Sequence, residues 1–454
     1  MLEFGTDGVR GTANLELTPE FALALGRSAA RVLGAGRWAV GRDTRRSGSL
    51  LEAAFSAGLA SEGAEVVGLG VAPTPEVAWW SAAQGAPAAM ISASHNPYPD
   101  NGIKIFSAGG RKLPDEAEAR LEDELRRLLN GVNGYGRRDT EATRPSGAEV
   151  GTITAAPPHQ GYAAAVAASI EGRRLDGLRV VVDCANGAAS GVAPDVLRAL
   201  GAEVELLHCS PDGTNINHEC GSTHPAALQV AVHRAGADAG VAFDGDADRV
   251  MLVDGTGRLV DGDHIIAICA LDLAARGRLA ESTVVVTVMT NLGFRLSMGE
   301  RGIKVVDTRV GDRYVLEALE SGGYTLGGEQ SGHVIFHELA TTGDGLLTAV
   351  QALDVVMRSG RPLGMLADEA MTRLPQVLRN VRVGGGPLSA DDVVAALGTE
   401  IAAVEAELGA TGRVLVRPSG TEPLVRVMVE APTEVRADAA AARLVAAAEA
   451  LSAG

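Results

Sequence analysis

Lysine is almost missing from this chain. Of 40 basic residues only Lys104, Lys112 and Lys304 are lysines, against 57 acidic residues and a formal net charge of −17. Nucleic acid and anionic membranes both need basic surface, so neither is expected as the main partner. An anionic small molecule stays open, because a local arginine cluster overrides a distant acidic surface. No apolar run reaches the roughly 18 residues that would span a bilayer. The first residues lack the basic start and apolar core of a secretory signal, so a cytoplasmic protein is expected. Cys184, Cys209, Cys220 and Cys269 form no C-x-x-C pair, which argues against zinc and redox motifs. They read as small buried apolar residues in a reducing compartment.

What is present is core material for several domains: 454 residues, 46% hydrophobic and 21% charged. The most unusual stretch is 91–106, Ile-Ser-Ala-Ser-His-Asn-Pro-Tyr-Pro-Asp-Asn-Gly-Ile-Lys-Ile-Phe. The apolar run Ala88–Ile91 reads as a buried strand. Pro97 and Pro99 prevent both a helix and a regular ladder after it. Asp100-Asn101-Gly102 reads as a turn before a returning strand. Ser94 thus sits at the carboxyl end of a strand, where open α/β sheets bind ligands. His95 stands beside it and Lys104 just downstream. A lysine kept in this loop, in a chain that otherwise uses arginine, is read as functional, because lysine loses its proton when desolvated and arginine does not.

Along the chain, apolar strands alternate with helical patterns, which predicts α/β units. Thr18-Pro19 marks a helix start. Residues 131–157 are rich in Gly, Pro, Arg and Thr and read as a linker. A second unit carries strands near 180–183, 203–207 and 240–243. A third carries Val250–Asp254, 284–288, 304–308 and 324–326. A distant internal repeat is expected from this succession. The last segment reads as a small α+β domain with one helix over 390–408. The expected fold is therefore three successive α/β mixed-sheet domains plus a smaller α+β C-terminal domain around a central cleft. The expected bounds are 1–152, 153–253, 254–368 and 369–454.

Three further loops carry chemistry. Asp244, Asp246 and Asp248 alternate after an apolar strand, and in extended chain their carboxylates would share one side. Such density of hard oxygen suits Mg²⁺. An EF-hand is excluded, since positions six and twelve hold Arg249 and Gly255. Arg417-Pro-Ser-Gly-Thr-Glu-Pro reads as a phosphate cradle: arginine grips phosphate bidentately, Ser419 and Thr421 offer hydroxyls, and Gly420 lets backbone N–H groups approach. Arg426 adds a second cation. Glu329, Ser331 and His333 form a polar loop suited to sugar hydroxyls. Serine, acidic trio and phosphate grip together point to phosphoryl transfer through a phosphoserine. A kinase would show a nucleotide loop such as G-x-x-x-x-G-K-[ST], and none occurs. A non-catalytic sugar-phosphate binder would need neither Ser94 nor the trio.

These four motifs, in this order, resemble the α-D-phosphohexomutase superfamily, from Phe4 to about Glu430. Phe4-Gly-Thr-Asp-Gly-Val-Arg, Ile91-Ser-Ala-Ser-His-Asn-Pro, Asn215-Ile-Asn with Cys220-Gly-Ser-Thr, and Gly328-Glu-Gln-Ser-Gly-His are similar to the branch acting on glucosamine phosphates. The mannose and glucose phosphate branch, the alternative, usually has Met in place of Gln330. Pro418 stands where the glucosamine branch often has lysine. The resemblance implies an isomerase that carries a phosphate on Ser94 and binds Mg²⁺ through Asp244, Asp246, Asp248 and that phosphate. It implies that Glu329 and Ser331 hold sugar hydroxyls, with His333 nearby. Arg417, Ser419, Gly420, Thr421 and Arg426 would hold the non-reacting phosphate. Arg10 and Lys104 match positions tied to acid/base help and phosphate orientation, and Arg249 would support the reacting phosphate. Dimers are common in the family.

Overall fold

Threonine and proline open the first helix as the sequence suggests. Thr18 accepts a hydrogen bond from the Phe21 N–H, and Pro19 takes the first turn of Pro19–Leu33, where its missing N–H costs nothing. A computed structural model describes residues 2, 8–131, 145–157, 159–383, 389–418 and 424–453. The chain divides into two units, Met1–Met289 with Ile303–Asp368, and Thr290–Gly302 with Glu369–Gly454.

In the first unit three sheets repeat one arrangement. Each has two adjacent parallel strands, a third parallel strand on the other side of the first, and an antiparallel return on that third strand. In the first sheet these are Arg37–Arg42, Glu65–Val71, Ala88–Ile91 and Asp100–Ser107. In the second they are Arg179–Asp183, Glu203–Leu207, Ala239–Phe243 and Val250–Asp254. In the third they are Thr283–Thr287, Lys304–Thr308, Leu326–Gly328 and Val334–Phe336. The spatial order is the same each time. The sequence repeat is thus real in topology, and each copy places a loop between its third and fourth strands. These loops hold Ser94, the Asp244–Asp248 trio and Glu329–His333.

Four details depart from the sequence reading. Asp100-Asn101-Gly102 is not a turn but the start of the return strand, because Val9–Thr12 pairs against it. Ile153–Ala155, inside the expected linker, adds a parallel edge strand to Glu65–Val71. Val250–Asp254 belongs to the second sheet rather than the third. Val334–Phe336 pairs back on Leu326–Gly328 right after the polar loop, a strand too short to show a period. Core packing in the first sheet centres on Trp38 and Phe55, set edge to face at 6.4 Å.

The second unit holds an antiparallel sheet with Leu424–Glu430 between Gln376–Arg382 and Arg413–Pro418. Val425, Val427 and Val429 are fully buried against Ala437, Ala441 and Leu444 of helix Glu434–Ala453. The helix expected over 390–408 is two, Ala390–Ala396 and Gly398–Leu408. Helix Leu292–Glu300 belongs to this unit. Buried Glu430 accepts from the Asn291 side chain at 3.1 Å and the Leu292 N–H at 3.1 Å, and pairs with Arg413 at 2.9 Å.

Candidate active site

Ser94 follows the buried strand Ala88–Ile91 and adopts φ 51°, a left-handed conformation that costs a serine about 1–2 kcal/mol. What holds it there is Arg45, itself 1% exposed. Its guanidinium donates to the carbonyls of Ser94 at 2.9 Å, Asn96 at 2.8 Å, Pro97 at 2.5 Å and Asp100 at 3.0 Å, and pairs with Asp43 at 2.8 Å. Asp43 also accepts from the Ser92 hydroxyl, whose oxygen in turn accepts the Ser94 N–H. The Asn217 side chain donates to the Ser94 carbonyl at 2.8 Å.

The hydroxyl of Ser94 donates to Asp244 Oδ2 at 2.7 Å. His95 Nδ1 lies 3.4 Å from the same hydroxyl. Burial, then Arg249 and Arg10, push the His95 pKa down, so the ring beside the serine is neutral near pH 7. These effects also place Arg10, on strand Val9–Thr12, and Arg249 close to His95.

The acidic trio converges, although not by the extended geometry the alternation suggested. Residues 245–248 form a turn with Ala247 at φ 57°, and ligand oxygens of all three aspartates lie within 4.8 Å of one another. Gly245 is required by close approach: a Cβ there would meet the Ser94 carbonyl oxygen at 2.5 Å. Thr74, at the start of helix Thr74–Gln84, donates its hydroxyl to Asp246 Oδ2 at 2.6 Å and its N–H to the Asp246 carbonyl at 2.9 Å. The Arg249 N–H donates to Asp244 Oδ1. Oδ1 of Asp246 and Oδ1 of Asp248 are buried without a hydrogen-bond partner. Buried carboxylate oxygens left bare in a cluster of three are what a cation would satisfy, so the donor set fits a divalent metal. Burial and the charges of Asp248 and Asp246 push Asp244 well up. Burial works the same way on Asp248, but Lys104, His333 and Arg249 overcome it and hold that carboxyl well down.

Lys104 is 5% exposed, with Nζ 3.5 Å from Asp248 and 3.9 Å from Asp246. Lys304, by contrast, is exposed, and Lys112 pairs with Asp312 at 2.6 Å. In the third loop Glu329 accepts the Gly311 N–H, and its charge acts on Arg249. The Ser331 hydroxyl and the Gln330 side-chain amide oxygen are buried without hydrogen-bond partners. His333 points into the protein. It is 2% exposed, accepts the Gly343 N–H on Nε2, and turns Nδ1 to Asp248 at 3.7 Å.

In the second unit Arg417 and Arg426 are direct cross-strand partners. Burial, then Arg426, lowers the Arg417 pKa. Like charges directly opposite destabilise a sheet, and an anion between them relieves this. Ser419, Gly420 and Thr421 lie outside the described residues.

Asp43, Arg45, Thr74 and Asn217 escaped the sequence reading as site residues. Three of them carried a local signal: Asp43-x-Arg45, a charged pair directly after a buried parallel strand, and Asn217, the last residue of the Asn215-Ile-Asn motif.

Four family models cover the chain: phosphoglucomutase/phosphomannomutase α/β/α domain I over residues 1–130, domain II over 160–257, domain III over 261–374, and the C-terminal domain over 378–447. A phosphoglucosamine mutase of Frankia alni is 57% identical over 98% of this chain and 97% of its own length. The chain belongs to the phosphoglucosamine mutase family. Another member, from Symbiobacterium thermophilum, is 56% identical over 94% of each chain. Beyond the family, the solved putative phosphomannomutase of Thermus thermophilus shares the fold at TM-score 0.76, with 24% identity over 100% of this chain and 99% of that one. So does an Aspergillus fumigatus N-acetylphosphoglucosamine mutase, solved with GlcNAc-6P and magnesium, at TM-score 0.67 and 19% identity over 98% of this chain and 95% of that one. No helix among the described residues is long and apolar enough to cross a membrane.

Proposed function

We propose that this chain interconverts glucosamine 6-phosphate and glucosamine 1-phosphate, through a phosphoserine at position 94 and a 1,6-bisphosphate. The observation that carries the reading is the Ser94 hydroxyl, 2.7 Å from Asp244 in a buried trio with two carboxylate oxygens that lack a hydrogen bond. Phosphoserine 94 gives its phosphoryl group to the free sugar hydroxyl. The P–O bond to Ser94 breaks as the bond to the sugar oxygen forms, and the sugar hydroxyl loses its proton. Lys104 and neutral His95, with Arg10 oriented on the phosphate, are the groups that manage this proton and charge. After the bisphosphate turns end over end, the Ser94 oxygen takes the other phosphoryl group back. This chemistry serves the supply of amino-sugar nucleotides for cell-wall precursors. Its phosphorylated substrate and product suit a cytoplasmic enzyme.

Asp244, Asp246 and Asp248 would hold Mg²⁺ together with the Ser94 phosphate, and the ion would supply positive charge to neutralise the transferring phosphoryl group. Glu329 and Ser331 receive the sugar hydroxyls and amine. His333 stands behind Asp248 and sets its orientation. Arg249 supports the reacting phosphate, and Arg417 and Arg426, with Ser419, Gly420 and Thr421, hold the other one. The work divides over four domains with bounds near 152, 253 and 368.

A coupled assay with Mg²⁺ comparing glucosamine, glucose and mannose 6-phosphates tests the substrate. Preference for the glucosamine compound is expected, and equal or better turnover of the mannose or glucose compound would overturn it. Ser94→Ala tests the nucleophile. Turnover should vanish while the melting temperature holds, and a variant as active as wild type would refute the role of Ser94.

A further inference from the structure

The turn that gathers the acidic trio is held by its carbonyls. Three in succession, at Gly245, Asp246 and Ala247, accept N–H groups from three distant places: Ala188 at 2.8 Å, Thr74 at 2.9 Å and Gly345 at 3.0 Å. Two of these donors open helices. Thr74 begins Thr74–Gln84, and Gly345 begins Gly345–Ser359, whose first turn Asp344 caps by accepting the Leu347 N–H at 2.9 Å. The second seat fits closely, since a Cβ on Gly345 would lie 2.5 Å from the Arg249 carbonyl oxygen. Ala247 needs such a hold, because it sits at φ 57°, a conformation that alanine keeps only where its surroundings impose it. Asp246 and Asp248 flank it on either side.

One short helix ties the two seats together. Gln160–Ala168 packs on both Thr74–Gln84 and Gly345–Ser359, and Gly161 makes room there for the Trp79 ring. Just before this helix, His159 Nδ1 meets Glu76 Oε2 at 2.6 Å, two residues past Thr74. From the helix itself Tyr162, 2% exposed, donates its hydroxyl to Asp344 Oδ1 at 2.8 Å, the same oxygen that accepts the Leu347 N–H. Burial, then the Asp344 charge, push the Tyr162 pKa well up, so the hydroxyl keeps its proton and remains a donor.

We propose that Tyr162 and Asp344 are positioning residues for the metal loop. Their bond sets where helix Gly345–Ser359 starts, the Gly345 N–H fixes the Ala247 carbonyl, and the left-handed Ala247 keeps Asp246 and Asp248 facing one ion. Without the hydroxyl, Asp344 Oδ1 keeps the Leu347 N–H alone, the helix start drifts, and Ala247 relaxes toward a conformation that spreads the two carboxylates. A cation between them is then held less tightly. The inference rests on reading the trio as the metal site of the mutase.

The test is full-length Tyr162→Phe, which keeps the ring and its burial and removes only the donor. Its Mg²⁺ affinity by calorimetry should fall about 10-fold. Turnover should drop at low Mg²⁺ and recover as Mg²⁺ is raised. Hydrogen exchange without metal should quicken about 10-fold in a peptide spanning 244–249, and more there than in peptides of the first sheet. Asp344→Asn, which keeps a side-chain oxygen for both donors, should bind Mg²⁺ as wild type does, whereas Asp344→Ala should bind it more weakly. Phe55→Leu, in the core of the first sheet, is the control for lost stability: its melting temperature should fall and its Mg²⁺ affinity should not. Wild-type Mg²⁺ affinity in Tyr162→Phe, wild-type exchange in its 244–249 peptide, or an equal loss of affinity in Phe55→Leu would each overturn the proposal. If wild type converts no hexose phosphate, the mutase reading fails while the binding and exchange arms still decide the role of the pair. If wild type binds no Mg²⁺, the metal reading fails, and exchange alone decides whether Tyr162 holds the loop.

Discussion

Two clusters in the first unit each bring three possible metal ligands within 4.8 Å, Asp244–Asp246–Asp248 and Asp183–His208–Cys220. Distance does not separate them, but the state of their oxygens does. Asp183 is saturated: one oxygen accepts the Ala185 N–H at 2.9 Å, and the other accepts the Gly221 N–H at 3.0 Å and lies 2.9 Å from His208 Nδ1. The trio instead keeps two oxygens without a hydrogen bond in a fully buried loop, Asp246 Oδ1 and Asp248 Oδ1, the latter 3.7 Å from Arg249 Nε. One cluster is a brace that fixes two chain turns. The other is an unmet demand for positive charge, answered only in part by Lys104 and Arg249. Counting ligands finds both, and counting satisfied lone pairs distinguishes them.

The sharpest way to break this contrast is Asp246→Asn. Turnover should fall on the order of 10³-fold. Melting in chelator should not drop, because the change relieves repulsion among three carboxylates. A clear loss of stability there would make the trio a brace as well. Asp183→Asn should do the reverse. Its amide would face donors with a donor, costing about 2–3 kcal/mol in urea unfolding, while Mg²⁺ affinity by calorimetry stays near wild type. An equal loss of affinity would erase the distinction. Thr74→Val removes the hydroxyl that orients Asp246 and should weaken Mg²⁺ binding about 10-fold, the usual size of an outer partner's effect. The smallest effect is expected for Cys220→Val, within about 1 kcal/mol by unfolding and without effect on bound metal. Zinc recovered with wild type but not with this variant would show a second metal site.

The sequence displayed the candidate site residues better than those that hold them. Ser94 and the three aspartates lie in short, dense runs, so their spacing was visible. Their supports come from far along the chain: Thr74 reaches Asp246 across 172 positions, and Arg45 reaches Ser94 across 49. No local period encodes such a contact. The trio was found for an incomplete reason, since a turn rather than an extended run gathers it. His333 was grouped with its loop neighbours by alternation, but the chain turns its ring inward to Asp248. The three-fold repeat was legible as a rhythm of strands and helices. That each repeat offers its connection from third to fourth strand to the same site appears only once the return strands are paired, and the third is merely Val334–Phe336.

Arg45 anchors the Ser94 loop from inside the protein, through four bonds from its guanidinium to loop carbonyls and a fifth to Asp43. In the proposed function, a Ser94 fastened in this way cannot swing to meet a second end of its substrate. The travelling part of the reaction must be the sugar bisphosphate, which has to let go of its grip and present its other face without drifting off. Each escape would carry the phosphate away and leave Ser94 bare, an inert enzyme until something recharges it. The rigidity of one buried arginine thereby makes processivity, the number of sugars converted per phosphate loaded, the quantity that governs how long a molecule of this protein stays in service.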